Sequence, residues 1–152
     1  MASIEFDTIY NRALSRINDL KLTSYTEEDF YEVMLEWLKS CSASPRFRKL
    51  FKTFSVDEDS EEVIFELNNS VDELYDSDFV TTLLAKGIII NYLPSRLEDT
   101  VHLATMIGGT EEKKLLDNYK NNMERLNRLS REFNREIARH SYYFSPYEYG
   151  GV

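Results

Sequence analysis

Few residues of this chain have the types and spacing that chemistry requires. Asp99 and His102 are three residues apart, which on a helix would let both reach one metal ion. A second pair of this kind is missing, so a di-metal carboxylate centre would lack half of its ligands. The single cysteine, Cys41, falls on the apolar stripe of a predicted helix, where burial would raise the pKa of its thiol and make it inert. These residues predict no enzyme activity, no metal and no cofactor.

The glycines and the acidic residues do not complete a ligand site either. Five glycines include only the pairs at 108–109 and 150–151, so no Gly-rich phosphate loop is formed. Asp57, Asp59 and Glu61 alternate like the start of a calcium loop, but Glu62 occupies the place where the sharp turn needs Gly. We therefore predict a solvated loop here, with weak divalent-ion binding as the alternative.

A row of arginines is the most informative charged feature. The residues recur at steps of three and four, which places them on one broad face of a helix, opposite an apolar stripe. They are Arg125, Arg128, Arg131, Arg135 and Arg139. Arginine suits planar pairing with carboxylates at an interface. The row therefore predicts charge contacts between subunits, with plain solubility as the alternative.

The chain also contains a strongly acidic region that could pair with this arginine row. Residues 57–112 hold fourteen acidic and two basic residues, whereas residues 113–152 hold five acidic and eight basic ones. The basic end of one copy could meet the acidic middle of another, and we predict the acidic side of this contact at Asp57, Asp59, Glu61 and Glu62. The alternative is a pair of solvated charged surfaces. The net charge of −9 argues against tight, sequence-specific DNA binding.

Hydrophobic spacing is mainly helical in the first half of the chain. A first helix is expected after Ser3 as its N-cap, and a second after Thr26, where acidic residues follow the cap. Between residues 46 and 76 the pattern is mixed. Residues 62–67 favour a strand that pairs with residues 53–56 in a small hairpin, although the phenylalanines near position 50 could also extend a helix.

The second half predicts three more helices. One starts near Ser77 and is stopped by Pro94, because proline cannot donate and crowds the preceding turn. A short one covers residues 96–107 and ends at the glycine pair. The longest runs from Glu111 to about His140, and at about 45 Å it should protrude from a small bundle or be lined by neighbours. We expect a cation at the histidine, because it lies near a helix C-terminus.

These elements predict a mainly all-α fold: a bundle of four to five helices with a long C-terminal helix, a small β-hairpin near residues 53–67, and an extended aromatic tail. Residues 1–140 would form one domain and residues 141–152 a docking tail. The tail holds five aromatic residues, which are Tyr142, Tyr143, Phe144, Tyr147 and Tyr149. Because disordered tails are poor in aromatics and tyrosine is a common interface anchor, we predict that these residues bind a partner. The alternative is that the tail folds back on its own bundle.

Length and composition indicate one soluble domain. The chain has 152 residues, a size at which a single core is expected. One cysteine excludes an intramolecular disulfide, and no apolar run approaches the ~20 residues of a membrane span. The first residues lack the basic start and apolar centre of a signal peptide. We therefore expect a location in the cytoplasm or a similarly reducing space.

The order and texture of the helices resemble those of the small head–tail connector proteins, also called adaptor or neck proteins, of long-tailed bacteriophages. Four segments carry the likeness: FDTIYNRALSRIND, then EEDFYEVMLEWLKS, then DFVTTLLAKGIIINYLPSRL, and last LLDNYKNNMERLNRLSREFNREIARH with the following SYYF. Together they span most of residues 5–144. The acidic stretch at residues 54–76 is longer than this pattern leads us to expect.

This resemblance implies a structural role in the virion neck after assembly in the host cytoplasm. Family members form a ring, commonly twelve-fold, beneath the portal, where they extend the DNA channel and dock the next neck or tail component. The passing double-stranded DNA would not be bound by sequence. The resemblance implies that the C-terminal aromatics contact the portal. The alternative function is a DNA-binding packaging protein, similar to a small terminase subunit, that uses the arginine row on phosphate.

Overall fold

The computed structural model describes residues 2–16 and 27–143, without the side chains of residues 27, 93–105, 107, 115, 142 and 143. Within these limits the chain forms three strands and five helices. In chain order they are β1 (Ala2–Glu5), α1 (Phe6–Leu14), α2 (Glu27–Ser42), α3 (Pro45–Arg48), β2 (Phe51–Asp57), β3 (Glu62–Leu67), α4 (Glu73–Ile107) and α5 (Gly109–Tyr143). The caps expected at Thr26 and the stripe beyond Arg16 lie outside the described residues.

The three strands form one antiparallel sheet in the order β1-β3-β2. The predicted hairpin is confirmed, since β2 pairs with β3 and Phe54 lies opposite Phe65. The all-α assignment is wrong, however, because residues 2–5 pair with β3 as a third strand, with Ile4 opposite Val63. Ser3 therefore lies within a strand and does not cap a helix. Burying Ile4 on the sheet removes an apolar side chain from water, which a helix cap at this position would leave exposed.

The helix that was expected to stop at Pro94 continues through it. α4 begins four residues before the predicted start and includes the segment that was predicted as a separate short helix. Proline removes one backbone hydrogen bond and costs about 3 kcal/mol inside a helix. Burial of Leu83, Leu84, Ile88 and Ile89, which are all fully buried, holds the preceding turns in place and outweighs this local cost.

The long C-terminal helix is confirmed and extends past its predicted ends. α4 gives way to α5 at Gly108 and Gly109, which both have a φ of +69°, a backbone region that favours glycine. α5 ends at Tyr143, so residues 141–143 are helical and the tail is not extended there. The division of the chain into a domain and a docking tail stays a prediction. The remaining tail residues lie outside the described structure.

α4 is the centre of the core. The inner face of the sheet, α1, α2 and α5 all pack against the segment from Val80 to Tyr92. An aromatic group joins the sheet to α5, with the ring of Phe47 stacked 6.5 Å from that of Phe133 and 4.9 Å from that of Phe51. None of the described side chains in residues 109–123 is buried, and Met106 and Leu116 are exposed. The first half of α5 therefore lies outside the core, as the length of this helix led us to expect.

Within the described residues, no helix combines the length and the apolar character that crossing a membrane would require. The most apolar part of α4 is interrupted by Lys86, which is 7% exposed. Its ammonium forms an ion pair with Glu136 of α5, and Glu132 lies 4.0 Å away. A buried charge is tolerated when it is paired in this way. The pair also fixes which face of α5 is directed towards α4.

α2 and α4 approach each other most closely at Gly87. A Cβ atom at this position would lie 2.5 Å from both Cβ and Sγ of Cys41. Such a distance is shorter than real Cβ contacts, and both helices are rigid here because their neighbours are buried. Glycine is therefore needed at this crossing for space.

We expect Gly87→Ala to lower the free energy of unfolding by about 1–3 kcal/mol, because an overpacked core must shift to admit the methyl group. At an open helix position the same change would stabilise the protein, by up to about 1 kcal/mol. Urea unfolding followed by circular dichroism measures the difference. In a chain that already carries Cys41→Gly, the cost of Gly87→Ala should be smaller, since Cys41→Gly removes the atoms that the methyl group meets. Equal stability of Gly87→Ala and the parent would contradict the close approach.

His140 is buried at the C-terminal end of α5, with 3% of its surface exposed. Its ring stacks on Phe79 at 4.5 Å and lies 6.3 Å from the ring of Tyr75. Burial lowers the pKa of His140, and the negative charge of Asp76 opposes this only in part. The cation expected at this helix end is therefore disfavoured, because desolvation outweighs the helix dipole.

This environment predicts a stability that falls on mild acidification. The neutral ring is favoured in the fold, so its contribution is complete above the unfolded pKa of about 6.5 and is lost as the pH falls through that value towards the lower folded pKa. We expect the free energy of unfolding to decline between about pH 7 and pH 5. His140→Phe keeps a flat ring without a titrating group and should flatten this slope in urea titrations. An unchanged slope in His140→Phe would assign the effect to other groups.

Candidate interaction surface

The single cysteine is a core residue of α2. Cys41 is 8% exposed and its Sγ lies 3.2 Å from the carbonyl oxygen of Leu38. Burial raises the pKa of its thiol to about 12, so the reactive thiolate is not formed at neutral pH. In the part of the chain that the structure describes, no group of three or more metal-binding side chains could hold an ion. The side chains of Asp99 and His102 lie outside that part.

The segment that resembles a calcium loop is the turn of the β2–β3 hairpin. The carboxylate of Asp57 accepts hydrogen bonds from the backbone N–H groups of Asp59, at 3.1 Å, and Ser60, at 3.3 Å. These bonds, led by those from Ser60, lower the pKa of Asp57. Glu61 completes the turn with a φ of +55°. The carboxylate of Asp57 is thus engaged in shaping the turn.

We call the residues Asp57, Asp59, Glu61 and Glu62 the acidic turn. Asp59 and Glu61 are exposed, while Asp57 and Glu62 are half-buried. Glu61 lies close enough to the buried phenol of Tyr10 to raise its pKa, as a second cause after burial. Beside the turn is a concavity of about 510 Å³ that is also lined by Lys39. Lys39 forms an ion pair with the neighbouring Glu58, which leaves the acidic turn in excess over nearby basic groups.

The five arginines of the predicted row lie on the face of α5 opposite Leu129, Phe133 and Ile137, which are buried. We call them the arginine row. Four of the five are exposed, and Arg125 is half-buried with its guanidinium donating to the carbonyl oxygen of Arg16 at 2.8 Å. Arg131 donates to the carbonyl of Asn127 at 3.3 Å, one turn earlier in the same helix.

The glutamates of α5 do not neutralise the row. Glu136 forms the ion pair with Lys86, and Glu132 lies 4.0 Å from the same ammonium, so both glutamates are directed towards α4 from the border between the arginine row and the apolar stripe. Counting only residues that the structure describes, none of the five arginines forms an ion pair with a carboxylate. The arginine row and the acidic turn are thus both placed as surface groups, and the described contacts within the chain do not join them.

The five predicted aromatic contacts cannot be placed. The side chains of Tyr142 and Tyr143 are not among those described, and Phe144, Tyr147 and Tyr149 lie beyond the described backbone. Their role stays a prediction.

Two features were not anticipated from the sequence. Arg12 connects α1 to α4 by donating to the carboxylate of Asp78 and the hydroxyl of Thr82, each at 2.9 Å. Leu74 of α4 is 83% exposed and follows the half-exposed Val71. In the sequence, Val71 and Leu74 stand among acidic residues. This position alone does not show whether an apolar side chain is exposed or part of the core.

The described surface therefore offers separated charged groups and exposed apolar side chains, an arrangement that suits binding to other proteins. Comparison with protein-family models, with curated proteins and with solved structures finds no match for this chain.

Proposed function

We propose that this chain is a structural subunit that joins copies of itself by setting the arginine row of one copy against the acidic turn of the next. One observation carries the proposal: exposed arginines recur along one face of α5, and within the described chain no carboxylate pairs with them. Arginine pairs with carboxylates in two parallel hydrogen bonds, which gives both attraction and a defined orientation. Two different surfaces on one chain generate a heterologous contact.

A heterologous contact closes into a ring when the rotation between copies is suitable. We propose that this ring is a head–tail connector in the neck of a long-tailed bacteriophage, attached to the portal above and to a neck or tail protein below. Support comes from the resemblance of the helical segments and from the excess of acidic residues in the middle of the chain. Such an excess repels phosphates, so a passing DNA duplex would not adhere to the subunit.

Charge reversal tests the contact between copies. In Arg128→Glu/Arg131→Glu/Arg135→Glu, like charges would face each other at the interface, and we expect self-association to weaken at least about tenfold. Sedimentation equilibrium at low ionic strength measures the association constant, and rising salt should weaken the parent in the same way. The matched control is Lys113→Glu/Lys114→Glu/Lys120→Glu, which makes the same change of charge on the exposed first half of α5.

A complementary reversal shows whether the acidic turn is the partner. The variant Asp57→Lys/Asp59→Lys/Glu61→Lys should also fail to self-associate, but it should associate with the arginine-reversed variant when the two are mixed. Equal weakening by the control reversal would attribute the effect to net charge and contradict the proposal. Salt-sensitive DNA binding that is lost with the arginines, together with a monomeric parent, would support the packaging alternative instead.

Removal of the tail tests attachment to the portal. Because α5 ends at Tyr143, deleting residues 144–152 leaves the described helices intact. We expect the deletion to abolish binding to the portal protein encoded with this chain, while the helical signal in circular dichroism is nearly unchanged. Binding is measured by co-sedimentation with assembled portal. Full binding by the shortened chain would show that the tail is not the anchor.

A further inference from the structure

Among the described residues, β1 is an edge strand that pairs with β3 alone, so its other side is free within that part of the chain. The backbone N–H of Phe6 donates to the carbonyl of Glu61 at 2.9 Å. Hydrogen-bonded pairs alternate along an antiparallel ladder, so the backbone N–H and C=O groups of Ile4 are directed towards β3, like those of Phe6. The backbone N–H and C=O groups of Ser3 and Glu5 are then directed away from the sheet. They can accept one more strand.

A groove runs along this free side. It has a volume of about 370 Å³ and is bounded by Ser3 and Glu5 of β1 and by Leu74 and Asp78 of α4. Arg12 also lines it and is held in place by its bonds to Asp78 and Thr82. The groove therefore combines backbone groups, an apolar wall and a fixed ion pair, which are the elements of a site for an extended peptide.

An exposed apolar strip leads from this groove to the end of α5. Leu74 is 83% exposed, Val71 is 52% exposed and Tyr75 is 41% exposed. The ring of Tyr75 lies 6.3 Å from that of His140, and α5 continues for about one further turn to Tyr143. The last described residue of α5 is thus close to the first turn of α4, where the strip begins.

We propose that residues 144–152 of the same chain occupy this groove in the free subunit and add a short strand to β1. Nine residues reach up to about 30 Å when extended, which exceeds the distance along two turns of α4. Tyr147, Glu148 and Tyr149 alternate, so a strand would direct both tyrosine rings to one side, towards Leu74 and Val71. Pro146 precedes them, so its missing N–H does not interrupt the new pairing.

Two general arguments favour the tail of the same chain over a separate molecule as the occupant of the groove. An uncovered edge strand beside exposed apolar side chains promotes aggregation, and a short strand from the same chain removes that hazard. A tethered segment also binds at an effective concentration that a free peptide rarely reaches. The inference does not rest on the proposed ring. If the ring also forms, the tail exchanges its own groove for a partner when the subunit attaches.

Hydrogen exchange of single amides measured by NMR tests the proposal. The full chain is compared with a chain that ends at Tyr143, both in salt that screens contacts between copies. We expect the amides of Ser3 and Glu5 to exchange at least about tenfold more slowly in the full chain. The amide of Ile4, which is bonded to β3, is the internal control and should exchange at the same rate in both. Tyr147→Ser/Tyr149→Ser should behave like the shortened chain, and Glu148→Gln like the full one.

Equal exchange of Ser3 and Glu5 in the two chains would overturn the proposal. Protection that increases with protein concentration and accompanies a dimer would overturn the same-chain assignment and place the tail of a second copy in the groove. Neither result depends on the arginine row, because charge reversal at Arg128, Arg131 and Arg135 leaves both the groove and the tail unchanged. Failure of this inference and failure of the proposed function are therefore distinguishable.

Discussion

The burial of most of α4 between Val80 and Tyr92 constrains most of the described structure. A helix that is apolar on all sides must be covered on all sides, and here the sheet, α1, α2 and α5 provide the cover. Lys86 is the charged residue of this segment, and its charge requires a carboxylate on the helix that packs beside it. Glu136 provides that carboxylate, so the rotation of α5 about its own axis is determined by a partly buried ion pair as well as by Phe133 and Ile137.

The rotation of α5 about its own axis determines which of its side chains are exposed. Once the apolar stripe and Glu136 are directed inwards, the arginines on the opposite side of α5 must be exposed. The same rotation brings Glu132 and Glu136, which lie between the arginines and the apolar stripe, within reach of Lys86. A feature of the core thus determines that a strongly basic face is exposed. The acidic turn is separated from it because it belongs to the hairpin, whose position is set by the sheet.

Sequence patterns were sufficient where a segment shows one clear hydrophobic period. α2 and α5 were predicted from their apolar stripes, and the hairpin from the alternation in residues 62–67. β1 was missed because four residues are too few to show a period, and because Ser3 is an acceptable helix cap. The helix end predicted at Pro94 was wrong, because the rule that proline stops a helix does not take account of the packing of the preceding turns. The arginine row was predictable from helical spacing, whereas the groove beside β1 depends on residues about 70 positions apart along the chain.

The first half of α5, residues 109–123, lies outside the core and has no buried side chain among those described. It spans about 22 Å at 1.5 Å per residue, so a tilt of about 10° at the core would displace its far end by about 4 Å. A small adjustment of packing around Phe133 is therefore amplified with distance, as by a lever. In the assembly that we propose, a helix of this kind would let one subunit adapt to neighbours at slightly different positions while its own interior remains unaltered.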